Sequence, residues 1–272
     1  MAKSTTYQLR PQEGLALRAI VARSAGVCAL LLEGAPGCGK TAFGEHVASV
    51  LKAELLFCQL HSWSDDQELF CGVNIPAAIG GDADNVRQKG VLWLAALASQ
   101  KGPVVVLLDE LDKAPENVEH LLLDVLQAGR VPTAPGQHER LVIANTVFVI
   151  TSNGARDHGD ALLRRVRRVR MATLPIGTFN QIVVERTGAS PDIVAMATKI
   201  GHEVARKDDQ IWSVQEACQL VGEFPLAHTF EDLTILFTQW AARGPLGVTH
   251  CEGRQSGLPR LWGELVRRRR GL

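Results

Sequence analysis

The sequence predicts an α/β fold: a five-stranded parallel sheet flanked by helices, followed by a small all-helical domain. Three observations carry this. Short apolar runs alternate with helically spaced stretches through the first 175 residues. Those runs are continuous rather than alternating, the pattern of strands buried on both faces and therefore of a parallel sheet covered by crossover helices. From Pro175 onward only helical spacing remains.

Strands are expected at 27–32, 55–60, 104–108 and 147–151, with a weaker fifth at 166–171. Helices are expected between them at 13–24, 40–51, 91–99, 116–127 and 160–165. The later helices fall at 178–187, 191–206, 214–221 and 229–242, punctuated by Gly188, Gly201, Gly222 and Pro225. Residues 243–259 are rich in glycine and polar side chains and read as a loop; four arginines, Arg267 to Arg270, follow close to the end.

Composition narrows the classes. The 272 residues are 46% apolar and 21% charged, as in ordinary globular proteins. Twenty-nine basic side chains balance 29 acidic ones, so bulk charge gives no basis for sequence-blind nucleic-acid binding. The six cysteines, Cys28, Cys38, Cys58, Cys71, Cys218 and Cys251, form no C-x-x-C pair and are expected as free thiols. Residues 1–10 lack an apolar signal core, and no apolar run approaches the roughly 20 residues that span a bilayer. A cytoplasmic protein with no membrane partner is the expectation.

Gly34-Ala35-Pro36-Gly37-Cys38-Gly39-Lys40-Thr41 matches the phosphate-loop pattern G-x-x-x-x-G-K-[ST], between an expected strand and an expected helix. The glycines let backbone N–H groups converge on phosphate oxygens, and the helix start adds further donors. Lys40 would supply a charge to the β- and γ-phosphates, and Thr41 a hydroxyl ligand for Mg²⁺. The fold class is therefore that of a P-loop nucleoside triphosphatase.

The strand at 104–108 runs into Asp109-Glu110. An acid at that end can hold a magnesium water shell, and a following Glu can orient and deprotonate water. The pair points to hydrolysis rather than binding alone. Asp112 and Lys113 read as surface residues at a helix start. Asn153 ends the strand at 147–151; it suits either a contact to the γ-phosphate or the attacking water, or a turn before Gly154. Five arginines fall within seven residues, Arg164, Arg165, Arg167, Arg168 and Arg170. Arg164 and Arg165, just after a short helix, are candidates for a guanidinium that reaches a neighbouring subunit's γ-phosphate. The other three read as a solvated face paired with local acids.

Together these motifs resemble the AAA+ ATPases, in particular the MoxR-like and dynein-related branch that includes McrB-type motors. Gly34 to Thr41 match Walker A, 104–110 Walker B, Asn153 sensor 1, and Ala161-Leu162-Leu163-Arg164-Arg165-Val166 the arginine-finger region. Lys89-Gly90-Val91-Leu92 also looks like this branch, and 129–141 is similar to its hairpin before sensor 1. The resemblance implies a core at 1–175, a helical lid at 176–243 and a loop and basic tail at 244–272. It implies ATP and Mg²⁺ as cofactors, and a homo-oligomeric ring, usually a hexamer, with ATP between subunits. It also implies a remodelled protein partner, of which a von Willebrand factor A domain protein is one kind. One departure stands out. Where the family's lid carries a sensor-2 arginine, Ser213-Val214-Gln215-Glu216 places Gln215, an amide without charge; Arg206 or Arg243 are the nearby alternatives.

An ATP-driven motor acting on a protein is the favoured function. A nucleic-acid-associated motor of a restriction, defence or mobile element is the alternative; GTP use stays open, although no N-K-x-D tetrad is present. A nucleotide-stabilised scaffold with little turnover is disfavoured by the intact Glu110. Specificity is expected in insert loops at 69–85 and 133–140, with Trp63 and Phe70 placed in the core.

Overall fold

The computed structural model describes residues 7–22, 28–82, 85–134, 136–207, 211–241 and 257–269. The chain divides into two compact units. One comprises Leu9–Ala35 and Gly39–Ala172; the other comprises the chain from Thr173 onward, together with Pro36–Cys38.

The first unit runs α1 (Pro11–Val21), β1 (Cys28–Glu33), α2 (Lys40–Leu51), β2 (Glu54–Gln59), α3 (Asp66–Leu69), β3 (Cys71–Val73), α4 (Ile75–Ile79), β4 (Arg87–Lys89), α5 (Val91–Ser99) and β5 (Val104–Asp109). It continues with α6 (Glu116–Ala128), β6 (Arg130–Ala134), β7 (Gln137–Arg140), β8 (Thr146–Ser152), α7 (Asp160–Leu163) and β9 (Arg167–Arg170). The main sheet has five strands in the order β2-β5-β8-β1-β9, and every pairing is parallel. The central strands are buried as their unbroken apolar runs require: Val104 to Leu108 and Val147 to Ile150 are all almost fully removed from water. On one side the sheet packs against α5 and α6 through Leu92, Ala95, Ala96, Val118, Leu122 and Val125.

Two short antiparallel hairpins lie outside this sheet, β3–β4 and β6–β7. The second occupies the stretch expected to be a hairpin. The first was expected as part of an insert loop; its strands are three residues each, and Arg87-Gln88-Lys89 carries no apolar alternation to announce it. Phe70 is buried as expected, but Trp63 is 79% exposed and does not belong to the core. It follows the end of β2 in a turn that leaves its ring outside the sheet's helical cover, beside His61.

The second unit contains α8 (Ile176–Thr187), α9 (Pro191–Lys207), α10 (Val214–Glu223), α11 (Phe230–Ala241) and α12 (Leu258–Arg269). Phe179, Val194, Trp212, Leu220 and Phe237 anchor its core. Helix α10 opens on a capping box: Ser213 accepts from the Glu216 N–H, and the Glu216 carboxylate accepts from the Ser213 N–H at 2.8 Å. The end of the chain differs from the expected loop and tail. Leu258, Leu261 and Leu265, spaced at three and four, put one face of a helix into the unit's core, while Arg267 and Arg268 stay on the wet side. Arg243 and the remainder of the expected loop to residue 256 lie outside the described residues. Among the described residues no helix is long and apolar enough to cross a membrane. Among the described residues no cysteine forms a disulfide, and burial, then Glu68, pushes the Cys58 thiol up to about 12.

Gly201 is fixed by packing. A Cβ there would lie 2.2 Å from the Trp212 ring, which is itself buried. Gly201→Ala is expected to destabilise the helical unit by about 1–3 kcal/mol through overpacking, measured as a lowered urea midpoint in circular dichroism.

Candidate functional site

The site is assembled at the carboxyl ends of β1, β5 and β8. Strand β1 runs into the glycine-rich loop, where Gly37 and Gly39 adopt φ of +76° and +92°, backbone that side chains other than glycine rarely take. The left-handed Gly39 is the residue from which α2 begins at Lys40. The N–H of Gly34 donates to the Ser152 carbonyl, tying the loop's start to β8.

Lys40 is almost fully buried. Its ammonium donates to the carbonyls of Gly34 (2.7 Å) and Ala35 (3.0 Å) and to Oδ1 of Asn153 (2.7 Å). The Thr41 hydroxyl lies 3.1 and 3.2 Å from the two carboxylate oxygens of Asp109. Thr151 locks the other side of this acid: its hydroxyl donates to Asp109 at 2.5 Å and accepts from the Glu110 N–H at 2.9 Å. Thr41 and Asp109 thus bring hard oxygen donors together, the type that magnesium prefers.

Glu110 stands just past β5 with φ of +62°, a left-handed backbone. Its carboxylate accepts from Lys113 (2.7 Å), Gln59 (3.0 Å) and Nδ2 of Asn153 (3.3 Å). Burial pushes this carboxyl up, but the hydrogen bonds from Lys113, Gln59 and Asn153 and the charge of Lys113 outweigh burial and hold it below the ordinary value. Asn153 therefore bridges the lysine and the glutamate, accepting from one and donating to the other. Five residues named from the sequence, Lys40, Thr41, Asp109, Glu110 and Asn153, are brought into one hydrogen-bonded group.

Three contributors were not singled out. Gln59 is the last residue of β2, and its parallel register sets it opposite Asp109. Lys113, expected as a surface residue, sits one turn beyond Glu110 and pairs with it. Asp112, also expected at the surface, is buried and accepts from the Ala155 N–H at 3.0 Å. The register of β2 on β5 is the signal for Gln59, and the i, i+3 spacing the signal for Lys113.

The arginines separate by environment. Arg164 is exposed, whereas the Arg165 guanidinium donates to the Ala161 carbonyl at 2.6 Å and to Gln127. Arg168 makes a two-pronged pair with Glu33 (2.8 Å on each prong), while Arg167 and Arg170 are exposed on the edge strand. In the other unit, Gln215 is exposed in the first turn of α10. That unit also carries a half-open cavity of about 740 Å³, with Cys38, Phe179, His202 and Trp212 in its lining. Phe179 and Trp212 stack at 6.1 Å, with the His202 ring against both.

A strand–loop–helix phosphate cradle, an acid pair at the next strand's end and a polar residue on the strand between them define a P-loop nucleotide hydrolase. The family model for the dynein-related subfamily of AAA domains matches residues 29–169, more than half of the chain. The chain belongs to that subfamily and is a P-loop ATPase. Comparison with curated protein sequences returns no match. Among solved structures it is similar to a Thermotoga maritima RuvB mutant, with TM-score 0.53 and 15% identity over 96% of this chain and 70% of that one. It is also similar to Hsp104 in a closed state with ATPγS and FITC casein, with TM-score 0.59 and 18% identity, covering 83% of this chain and 44% of that one. A second RuvB mutant gives TM-score 0.52 at 16% identity, with 64% of its length covered. At such identities these likenesses show the fold.

The Lys113 contact sets a pH expectation. A carboxylate held low is ionised, and so able to act as a base, down to a lower pH than an ordinary glutamate. Lys113→Met removes the largest of the lowering contacts, so the acid limb of kcat/KM for phosphate release is expected to move to higher pH, as read from a pH profile of the two proteins.

Proposed function

We propose that this chain hydrolyses ATP with Mg²⁺ as one subunit of a ring, and uses the cycle to remodel a partner protein. The observation that supports it best is the closed chain Lys40–Asn153–Glu110, set beside the Thr41–Asp109 pair. Glycine-loop amides and Lys40 bind and orient the β- and γ-phosphates. Thr41 and Asp109 would hold Mg²⁺, which when bound neutralises charge on the phosphate oxygens. Glu110, kept ionised, accepts a proton from water, and Asn153 fixes the glutamate relative to the lysine. Gln59 holds one oxygen of Glu110 and Lys113 and Asn153 the other, which leaves the Gln59-bound oxygen a further lone pair for water. The absence of an N-K-x-D tetrad argues against an ordinary small GTPase.

The exposed Arg164 is the better of the two candidates for a neighbour's γ-phosphate, because the Arg165 guanidinium is engaged within its own subunit. The match to the dynein-related subfamily supports a ring, and the MoxR-like branch with a hexamer is the specific form proposed. Similarity to Hsp104 with casein supports a protein as the object of the motor, whether as substrate or as a von Willebrand factor A domain partner.

Phosphate release tests the chemistry. Glu110→Gln is expected to slow turnover by about 10²–10⁴-fold while nucleotide still binds; wild-type and variant rates that are equal would refute the assignment. Mixing tests the shared site. Arg164→Ala and Glu110→Gln proteins, each nearly inactive alone, are expected to regain activity when mixed, since some interfaces then pair an intact Glu110 with an intact Arg164. A mixture no more active than its parts would place the finger elsewhere.

A further inference from the structure

Below the hydrolytic group lies a second polar cluster that the chemistry does not use. Its centre is Glu119 on α6, with 5% of its surface exposed. One carboxylate oxygen accepts from the Arg156 guanidinium and from Nδ1 of His158 (2.7 Å); the other accepts from the Gly159 N–H (3.0 Å). The His158 side chain is 4% exposed, and its Nε2 lies 2.9 Å from the buried Ser152 hydroxyl, which accepts from the Gly154 N–H at 3.1 Å. Arg156 also donates to the carbonyls of Leu111 (3.2 Å) and Ala114 (3.1 Å), in the segment leaving Glu110. Asp112 of the same segment accepts from the Ala155 N–H.

These bonds fall on one stretch of chain. Residues 152–159 join Asn153 to α7, and the stretch is fastened through Ala155, Arg156, His158 and Gly159 to α6 and the exit of β5, while the Gly154 N–H is held by Ser152 within it. Gly159 is the residue from which α7 begins, and Leu162 of α7 is buried in the sheet's core. Arg164 and Arg165 follow directly. With Nδ1–H donating to Glu119, His158 presents Nε2 as acceptor for the Ser152 hydroxyl. Every hydrogen bond from Gly154 through Ser152 and His158 to Glu119 then runs in one direction.

The geometry points to a positioning role for Glu119: with Arg156, His158 and Ser152 it clamps the 152–159 stretch, so that Asn153 and α7, which leads directly into Arg164, are held in one fixed relation. This rests on the roles proposed above for Asn153 and Arg164. Buried ion pairs are poor stabilisers compared with apolar packing, and their best-attested use is to select one arrangement. Burial pushes the Glu119 carboxyl up, but bonds from His158, Gly159 and Arg156 more than reverse this, so it is an anion suited to hold these donors.

The test uses the full chain and Glu119→Gln. The amide keeps the side chain's size, but its NH2 faces a donor wherever it points. Expected are a fall in turnover of about 10- to 100-fold, as misplaced catalytic groups give, with the Kd for a fluorescent ATP analogue within about twofold of wild type. Hydrogen exchange supplies a second measure that does not depend on catalysis. The amides of Gly154, Ala155 and Gly159 should exchange faster while those of β8 keep their protection. Unchanged exchange at these amides in the folded variant overturns the clamp whatever the activity. So does a loss of turnover that only follows a loss of folded protein and of nucleotide affinity. If Glu119→Gln does not fold, His158→Asn decides: it retains a donor toward Glu119 and drops the Ser152 contact. Gly154 should then lose protection while Gly159 keeps it, and equal exchange at Gly154 in His158→Asn and wild type overturns the proposal. Equal phosphate release by wild type and Glu110→Gln would instead strike at the hydrolytic roles, leaving the exchange result to judge the clamp.

Discussion

The parallel register of β2, β5, β8 and β1 is the constraint on which the rest depends. It sets Gln59 opposite Asp109 and Glu33 opposite Ser152, so that all four strands end within one residue of a common level. Residues far apart in the chain become hydrogen-bond partners there: Lys40 and Asn153 are 113 positions apart, and Thr41 and Asp109 are 68. Both faces of β5 are covered, so a slip of one residue would exchange the side chains packed on the two faces and carry Asp109 out of step with Thr41 and Thr151. Close packing on both faces therefore fixes the register, and the chemistry at the strand ends comes with it.

Much of this was legible in the sequence, because the features that matter are local. The phosphate loop lies within eight residues, and each central strand is an unbroken apolar run ending in the polar residues that the site uses. What was not legible depends on two segments meeting. Gln59 has no motif of its own; only pairing with β5 brings it to Glu110. Asp112 and Glu119 look like surface acids in sequence, and their burial comes from the 152–159 stretch closing over them. Helix α12 was hidden for a different reason: its arginines dominate the composition of a short amphipathic stretch whose three leucines need the other helices of its unit before they mean anything. Trp63 shows the reverse error, an aromatic residue assigned to a core that its turn does not reach.

The polar interior of the α/β unit has two tiers. In the upper one, Lys40, Asn153 and Glu110 share hydrogen bonds among the groups proposed to meet nucleotide. In the lower one, Glu119 holds Arg156, His158 and the Gly159 N–H. Residues 152–159 belong to both, which lets one short connection carry the position of Asn153 and of the arginine proposed to act between subunits. The upper tier holds the groups proposed to meet nucleotide, and the lower tier does not. That division suits a site whose ligand changes through a cycle while its frame does not.

The left-handed backbone at Glu110 has an evolutionary consequence. Such a conformation costs a residue with a Cβ on the order of 1 kcal/mol, and glycine or asparagine would adopt it more readily. Folding alone therefore pulls this position away from glutamate. A descendant released from the need to hydrolyse would gain stability by substitutions here, and would drift toward a chain that still grips nucleotide but no longer turns it over. On the role proposed for Glu110, this backbone trades folding stability for the carboxylate that turnover needs.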